Sequence, residues 1–299
     1  MASVSTQPAA RASASGGIRP LGLLGKVLIY LILGAWAILV IFPMLWAIMT
    51  SFKTDQEIFF SPWALPTTPP FENFVRAWTT ARIGEYFINT LIIVIPSLFL
   101  TLLLSAMAAY VLARFEFRGR NFITYMFLVG MIFPLFLALV PLSFVTQKLG
   151  LLDTYVGLIM VYVAFSLSFT IFFLISFFKT LPKELGEAAT IDGASQYDIF
   201  FRVYLPLARP GLITMGIFNF LGQWNQYILP NTLMITNEDG NTHYVLSQGL
   251  YYLQSKQFYQ NDWSGLFAAV TIVMIPTLVI YLIFNDRIEK GMTAGAVKG

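Results

Sequence analysis

Six long runs of apolar residues, none containing a charge, alternate with polar segments along the chain. They lie at about residues 27–50, 86–113, 121–146, 155–178, 211–233 and 263–285. Each run exceeds the roughly 20 residues that an α-helix needs to cross the hydrocarbon core of a bilayer, where the backbone must satisfy its own hydrogen bonds. The pattern therefore predicts an all-α integral membrane protein with six transmembrane helices. Prolines inside several runs predict kinks or span ends rather than straight rods (Pro43, Pro96, Pro134, Pro141, Pro276).

Basic residues indicate which side of the membrane each polar segment occupies. Thirteen of the 18 Lys and Arg residues lie in four segments that six spans place on one side: residues 1–26, 114–120, 179–210 and 286–299. By the positive-inside rule, both termini and the loop 179–210 are cytoplasmic. The predicted organisation is a disordered N-terminal tail 1–26, a six-span domain 27–285 and a C-terminal tail 286–299.

Composition excludes several classes of site. Charged residues make up only 11% of the chain, about half of what a soluble domain carries, and the net charge of +3 gives no argument for nucleic acid. The chain has no cysteine and one histidine, so it offers no disulfide, no thiolate nucleophile and no multi-histidine metal site. The first apolar run is too long for a signal-peptide core, which indicates an uncleaved first span.

The loop 179–210 predicts two short helices joined by a tight turn. Pro182 suits a first helical turn, and residues 183–191 have helix-forming composition. Gly193 is a plausible stop in the left-handed conformation, and the segment 195–198 resembles a capping box that starts the second helix. Leu205-Pro206 is predicted to end that second helix.

The first of these helices has a face suited to contact with another protein. Glu184, Glu187, Ala188 and Ile191 stand at helical spacing on one side. Small side chains allow close backbone approach, and Glu187 offers a charge to a basic partner. An ordinary amphipathic loop helix is the alternative interpretation, since Glu and Ala are simply good helix formers.

The spacing of this loop carries a resemblance to a known family. Glu187-Ala188-Ala189 is followed after three residues by Gly193, and after nine more by Val203 and then Leu205-Pro206. This resembles the EAA loop of binding-protein-dependent ABC importers, with Val203 where the family prefers Ile. Asp192-Gly193-Ala194, Phe201, Pro210 and the C-terminal residues 291–299 resemble the sugar-importing branch, closest to the second permease of maltose-type transporters.

The resemblance implies a type I ABC importer-like permease fold and a role for the loop in docking the ATPase. The residues it assigns to this coupling are Glu184, Glu187, Ala188, Ala189, Asp192, Gly193, Leu205 and Pro206. It also implies that the tail residues Thr293, Gly295 and Lys298 reach between two ATPase subunits. A flexible polar terminus is the alternative interpretation of that tail.

The fifth apolar run carries a polar stripe. Asn219, Gln223 and Gln226 stand at i, i+4 and i+7, beside Trp224 and Asn225. Unpaired amides facing lipid are costly, so this face is expected to contact protein, water or cargo. Amides pair with sugar hydroxyls and aromatic rings stack on pyranose faces, which makes these five residues candidates for the substrate path. Hydrogen bonding between helices is the competing explanation.

Aromatic residues are frequent in the two larger segments that lie on the side opposite the loop 179–210. They are Phe59, Phe60, Trp63, Phe71 and Trp78 in the first, and Tyr244, Tyr251, Tyr252, Phe258, Tyr259 and Trp263 in the second. Such residues are typical of an interfacial belt. A docking surface for a solute-binding protein is the alternative.

These observations predict a permease subunit of an ATP-driven sugar importer in a prokaryotic cell membrane. The chain has no GxxxxGK[ST] motif, so it is not expected to be an enzyme or to bind a cofactor, and ATP and Mg would belong to the ATPase. The resemblance implies as partners a second homologous permease, two ATPase subunits, an extracytoplasmic sugar-binding protein and lipid. An ABC permease for another solute, a secondary carrier and a membrane scaffold remain alternatives. A carrier is disfavoured because the six runs contain no Asp, Glu, Lys, Arg or His.

Overall fold

The computed structural model describes residues 23–67, 70–235 and 243–296, and no strand occurs within those three ranges. The helices are α1 Leu23–Thr50, α2 Asp55–Phe60, α3 Glu72–Thr79, α4 Ile83–Arg114, α5 Arg120–Ile132, α6 Leu135–Lys148, α7 Tyr155–Thr180, α8 Glu184–Ile191, α9 Gln196–Asp198, α10 Leu205–Leu207, α11 Arg209–Trp224, α12 Ile228–Leu233, α13 Leu246–Gln260 and α14 Trp263–Ala296. A π-helical segment, Ile199–Tyr204, joins α9 to α10.

The chain divides into two compact units after Trp46. The described part of the first unit is the apolar stretch of α1 from residue 23 to 46, which stays helical through Pro43. The second unit begins at Ala47 and contains all the helices from α2 onward.

Within the described residues, four helices are long and apolar enough to cross a membrane, namely α1, α4, α7 and the part Trp263–Arg287 of α14. The run predicted at 121–146 folds as α5 and α6, bent by 103° at Phe133 and Pro134, and counts as a fifth span if the pair crosses together. Both residues at the bend are extended. For Phe133 this follows because a proline disfavours the helical conformation of the residue before it. The predicted break at Pro134 is confirmed, whereas Pro96 and Pro276 lie inside continuous helices.

The run predicted at 211–233 is also not one continuous helix. It folds as α11, which has 16 residues, followed by the six-residue α12. At 1.5 Å per residue α11 is about 24 Å long, a little short of a hydrocarbon core. The last run, predicted to end at residue 285, instead continues as helix to Ala296 because the charged residues that follow it are compatible with helix.

The core of the second unit is built on α4 and α7, which pack against each other along much of their length. Three clusters of buried apolar side chains lie around this pair. One joins α4 and α7 to the π-helical segment, one joins them to α12, and one joins α4 to α3, α13 and α14. The first cluster supports the loop 179–210, and α11 contacts both α4 and α7.

Polar contacts fasten the segment 51–80, which contains α2 and α3, to the start of α14. Arg76 donates to both carboxylate oxygens of Asp262, each at 2.8 Å, and the Asp55 carboxylate accepts from the Ser264 amide at 2.7 Å. Burial raises the pKa of Asp262, but hydrogen bonds from Arg76 and the Gly265 amide outweigh it, so that its pKa lies below the ordinary value. The segment is thereby held at one end of α4 and α14.

Candidate functional site

Helix α8 presents one side outward and the other to the protein. The predicted coupling residues Glu184, Glu187 and Ala188 are exposed, whereas Gly186 is buried. Gly186 lies against Tyr204, since a Cβ atom at this glycine would stand 2.7 Å from the tyrosine hydroxyl. The shared outward face expected from the spacing is therefore present.

The turn after α8 has the hydrogen bonds of a Schellman motif. Gly193 has φ +83°, a conformation that an L side chain rarely adopts. The Ala194 amide donates to Ala189 O and the Gly193 amide to Thr190 O, both at 3.0 Å. Asp192 and Gly193 are exposed at the tip of the loop. The tight turn predicted at Gly193 is confirmed.

The second half of the loop begins as predicted. The Ser195 hydroxyl accepts from the Asp198 amide at 3.2 Å and lies 2.5 Å from the Asp198 carboxylate. The hydrogen bond that the Ser195 hydroxyl donates to the Asp198 carboxylate, together with the charge of Arg202 at 3.2 Å, lowers the pKa of Asp198. The start of the second helix is therefore capped by Ser195.

The second helix ends at Leu207, one residue beyond the predicted end at Leu205-Pro206. The Leu205 amide bonds to Phe200 O, five residues back, so the π-helical segment leads directly into α10. Pro206 lies in the first turn of α10, where its missing N–H is tolerated. The loop thus continues with little interruption into α11.

The inward side of the loop is packed and its outward side is apolar in places. Ala189, Ala194 and Leu205 pack on the cluster that includes Tyr110 and Phe178. Exposed large side chains of the loop include Leu185, which is 41% exposed, Ile191 at 86% and Tyr197 at 75%. Sequence reasoning missed Tyr197, although an aromatic residue in a charged loop could have indicated it.

The amides of α11 are buried and paired within the chain. Asn219 donates to Thr170 Oγ1 on α7 and to Met215 O, both at 2.9 Å. Gln223 accepts from the Ser97 hydroxyl of α4 at 2.6 Å and donates to the Ser166 hydroxyl of α7 at 3.1 Å. These two residues fasten α11 to both helices of the core, which is the role that the competing explanation gave them.

The other three predicted path residues lie in different environments. Trp224 is 2% exposed, stacks on Phe220 and donates to Val273 O at 3.3 Å. Asn225 is exposed and bonds back to Leu221 O of its own helix. The Gln226 side chain accepts from the Ile228 amide at 3.1 Å, which helps to turn the chain from α11 into α12.

A cleft of about 250 Å³ lies beside these amides. Gln226, Asn219 and Gln223 line it, together with aromatic residues of α7 and α11 that sequence reasoning did not single out: Tyr162, Phe165, Phe169 and Phe218. Phe165 and Phe169 are 38% and 42% exposed. The structure thus places amides and partly exposed rings together in one recess.

The predicted tail residues lie at the limit of what the structure describes. Helix α14 continues through Thr293 and Gly295, while Lys298 lies outside the described residues. In the parts of the chain that the structure describes, no group of three His, Cys, Asp or Glu side chains could hold a metal ion.

Known proteins resemble this chain in sequence and in fold. Residues 101–294 match the family described as "Binding-protein-dependent transport system inner membrane component". A diacetylchitobiose uptake system permease protein of Streptomyces coelicolor is 51% identical over 88% of this chain and 86% of the relative. A trehalose transport system permease protein of Mycobacterium tuberculosis is 32% identical over 88% of this chain and 97% of the relative.

A solved structure supports the fold assignment. One chain of a bacterial ABC transporter involved in the import of the acidic polysaccharide alginate superposes with a TM-score of 0.75, at 20% identity, over 88% of this chain and 96% of its own length. Proteins of the matched family are transport permeases of the prokaryotic plasma membrane and not enzymes, and they work with other transporter subunits. The chain therefore belongs to the binding-protein-dependent transport system inner membrane components, in the branch that takes up carbohydrates.

Proposed function

We propose that the chain forms half of the translocation path of an ATP-driven oligosaccharide importer and couples it to the ATPase through the EAA-like loop at residues 187–206. It would assemble with a second, homologous permease, two ATPase subunits that bind ATP and Mg, and an extracytoplasmic binding protein. Membership in the family argues against the secondary carrier and the scaffold. The loop supplies the main support for coupling, because it is packed on the core from one side and exposes acidic and apolar side chains on the other.

Six spans with both termini in the cytoplasm belong to this proposal. The broken run α5–α6 would cross as a bent pair, and α11 with α12 would make the remaining crossing together. The positions of 13 of the 18 basic residues support this arrangement. In this orientation the loop 179–210 faces the compartment that contains ATP, and the tail residues Thr293, Gly295 and Lys298 would be available to the ATPases.

The docking part of the proposal is tested by charge reversal at Glu187 in the tagged chain, purified from its native membrane. We expect Glu187→Arg to lose the co-purified P-loop ATPase while the second permease is retained, because Glu187 is exposed on the outward face of α8. Glu116→Arg is the matched control, since Glu116 is an exposed acid outside the loop. Retention of the ATPase by Glu187→Arg at wild-type levels would contradict the docking role.

The names of the relatives guide the choice of substrate. Relatives at 51% and 32% identity are named for diacetylchitobiose, arabinooligosaccharides and trehalose. We therefore propose a short oligosaccharide, with diacetylchitobiose as the first compound to test. The cleft with Gln226, Phe165 and Phe169 suits such a ligand, because its amide would pair with hydroxyl groups and its rings would stack on sugar faces.

Uptake assays distinguish this substrate from others. Cells or proteoliposomes containing the complete transporter should accumulate labelled diacetylchitobiose, and excess unlabelled diacetylchitobiose should compete better than trehalose. Gln226→Leu should lower uptake with the ATPase still bound. Competition by amino acids or phosphate in place of sugars would contradict the assignment and favour an ABC permease for another solute.

A further inference from the structure

An arginine at the end of α4 contacts the beginning of the loop 179–210. Arg114 is the last residue of α4, and its guanidinium donates to Leu181 O at 2.7 Å. Leu181 is the residue that follows the last turn of α7. The hydrogen bond thus joins the end of one core helix to the point where the chain leaves the other.

The same guanidinium lies on the ring of a buried tyrosine. Arg114 Cζ is 4.5 Å from the centroid of the Tyr204 ring, within the range of a cation–π contact. Tyr204 belongs to the π-helical segment and is only 3% exposed. Its hydroxyl donates to Pro182 O at 3.3 Å, one residue beyond the carbonyl that Arg114 holds.

The hydroxyl end of the same tyrosine lies against α8. A Cβ atom at Gly186 would stand 2.7 Å from the Tyr204 hydroxyl and 3.0 Å from a ring carbon, so only a glycine allows this approach. Tyr204 therefore contacts both α8, at Gly186, and Arg114. We refer to Arg114, Tyr204 and Gly186 as the clamp.

We propose that the clamp is the link through which movement of α8 reaches α4, and that Arg114 is its positioning residue. The inference rests on the proposed coupling role of the loop. When the ATPases displace α8, the contact between Gly186 and Tyr204 would carry the displacement to Arg114 and so to the end of α4. A cleft of about 340 Å³ beside the clamp, lined by Lys183, Thr190 and Gln196 among others, leaves room for α8 to tilt.

The neighbouring arginines do not share these contacts. Arg120 donates to Leu112 O and so pairs a carbonyl near the end of α4. Arg118 is exposed in the short connection between α4 and α5. Arg118→Ala therefore removes the same charge from the same segment without touching the clamp, and serves as the matched control.

The test compares transport with ATP hydrolysis in the purified complete transporter. Arg114→Ala should still bind the ATPase, because the exposed residues of α8 are unchanged. Reconstituted in proteoliposomes, it should show a fall of roughly tenfold in sugar transported per ATP hydrolysed. Arg114→Lys should recover part of this ratio, since it keeps a cation near the ring. Arg118→Ala should leave the ratio unchanged.

Two outcomes would overturn the proposal. An unchanged ratio in Arg114→Ala would show that the clamp does not transmit movement, and loss of the ATPase in the same variant would show that Arg114 only maintains the shape of the loop. Loss of ATPase docking is measured separately, by co-purification with the Glu187→Arg variant. If Arg114→Ala does not fold, Gly186→Ala tests the contact of the same tyrosine with α8 and should lower the ratio as well. Wild-type coupling in Gly186→Ala would then reject the proposal.

Discussion

Lys53 has an environment that its position in the sequence does not indicate. Its side chain is completely buried, and its ammonium group donates to Ser61 O at 3.0 Å and Pro62 O at 2.8 Å. From the sequence alone, Lys53 is simply one of the basic residues on the side of the membrane opposite the loop 179–210. A buried cation is tolerated when its hydrogen bonds are made, so Lys53 closes the segment 53–62 into a fixed shape.

Removal of this cation is expected to destabilise the protein. Lys53→Ala leaves two carbonyls without their partner and creates a cavity, at a cost of about 2–4 kcal/mol. The midpoint of thermal unfolding of the purified complex should fall by several degrees. Lys148→Ala is the control, because Lys148 is exposed and its loss should leave the midpoint in place. Equal unfolding midpoints for the two variants would show that the buried amine of Lys53 contributes nothing to stability.

Glu57 gives the same segment a dependence on pH. Its carboxylate accepts from the Thr67 hydroxyl at 2.6 Å and from the Thr54 and Thr67 amides at 2.9 and 3.1 Å. The Thr67 hydroxyl is the largest cause that lowers the pKa of Glu57 to about 2. Since the folded pKa lies below the ordinary value of 4.5, the stabilisation is fully present above pH 4.5 and is lost as pH falls toward 2.

Hydrogen exchange can detect this loss. The Thr54 and Thr67 amides should exchange faster, relative to their intrinsic rates, as pH falls from 4.5 toward 2. In Glu57→Gln they should be unprotected already at neutral pH, because the amide cannot accept these hydrogen bonds as strongly. Protection that is independent of pH in the wild-type protein would contradict this account.

At the scale of elements, the turn between α8 and α9 depends on the conformation of Gly193 rather than on space around it. No atom lies within 4 Å of a Cβ built at this glycine, yet its φ is +83°. A β-branched residue is strongly disfavoured there, at a cost of about 1–2 kcal/mol or more, whereas Asn tolerates this conformation. Gly193→Val should therefore distort the loop and lower uptake, and Gly193→Asn should retain most of it.

Uptake and ATP hydrolysis measured on the two variants check this prediction. Both side chains project into open space, so they differ in backbone preference more than in steric contact with the chain. If Asn were as harmful as Val, the tip of the loop would be intolerant of any side chain. That result would assign Gly193 to close contact with the ATPase instead of to the turn.

The sequence predicted where these helices start, turn and break better than it predicted where one helix continues into the next. The capped start at Ser195, the turn at Gly193 and the break at Pro134 follow from local backbone preferences, and all three are present. The continuation through Pro206 depends on a π-helical hydrogen bond that leaves no mark in local composition. The clamp could not be predicted either, because Arg114 and Tyr204 are brought together only by the packing of α4 on the loop.

At the scale of the whole molecule, the long apolar runs indicated where membrane helices lie but not the roles of the polar residues inside them. Asn219 and Gln223 were equally compatible with cargo and with neighbouring helices, because an amide in a membrane needs a partner of either kind. The structure supplies Ser97, Ser166 and Thr170 as those partners. Small hydroxyl residues are common in membrane helices, so no pattern singled out these three in advance.

The number of crossings is the property of the whole molecule on which the proposed orientation depends. If α11 and α12 cross the membrane together, α8 and α13 lie on opposite sides. If they return to the side they started from, α8 and α13 lie on the same side. The chain has no cysteine, so single cysteines can be introduced without first removing others. Glu187 and Ser255 are exposed positions in α8 and α13 that suit this purpose.

Labelling with a membrane-impermeant maleimide then decides between the two arrangements. In intact cells whose outer barrier is open, Ser255→Cys should react and Glu187→Cys should not, whereas inside-out vesicles prepared without the ATPase subunits should reverse the pattern. The reversal follows because the positive-inside rule places the loop 179–210 in the cytoplasm and six crossings place α13 outside. Reaction of both cysteines from the same side would show that α11 and α12 do not cross the membrane, which leaves at most five crossings. It would then leave α11 and its amides in a re-entrant segment, where the cleft would open to one side of the membrane only.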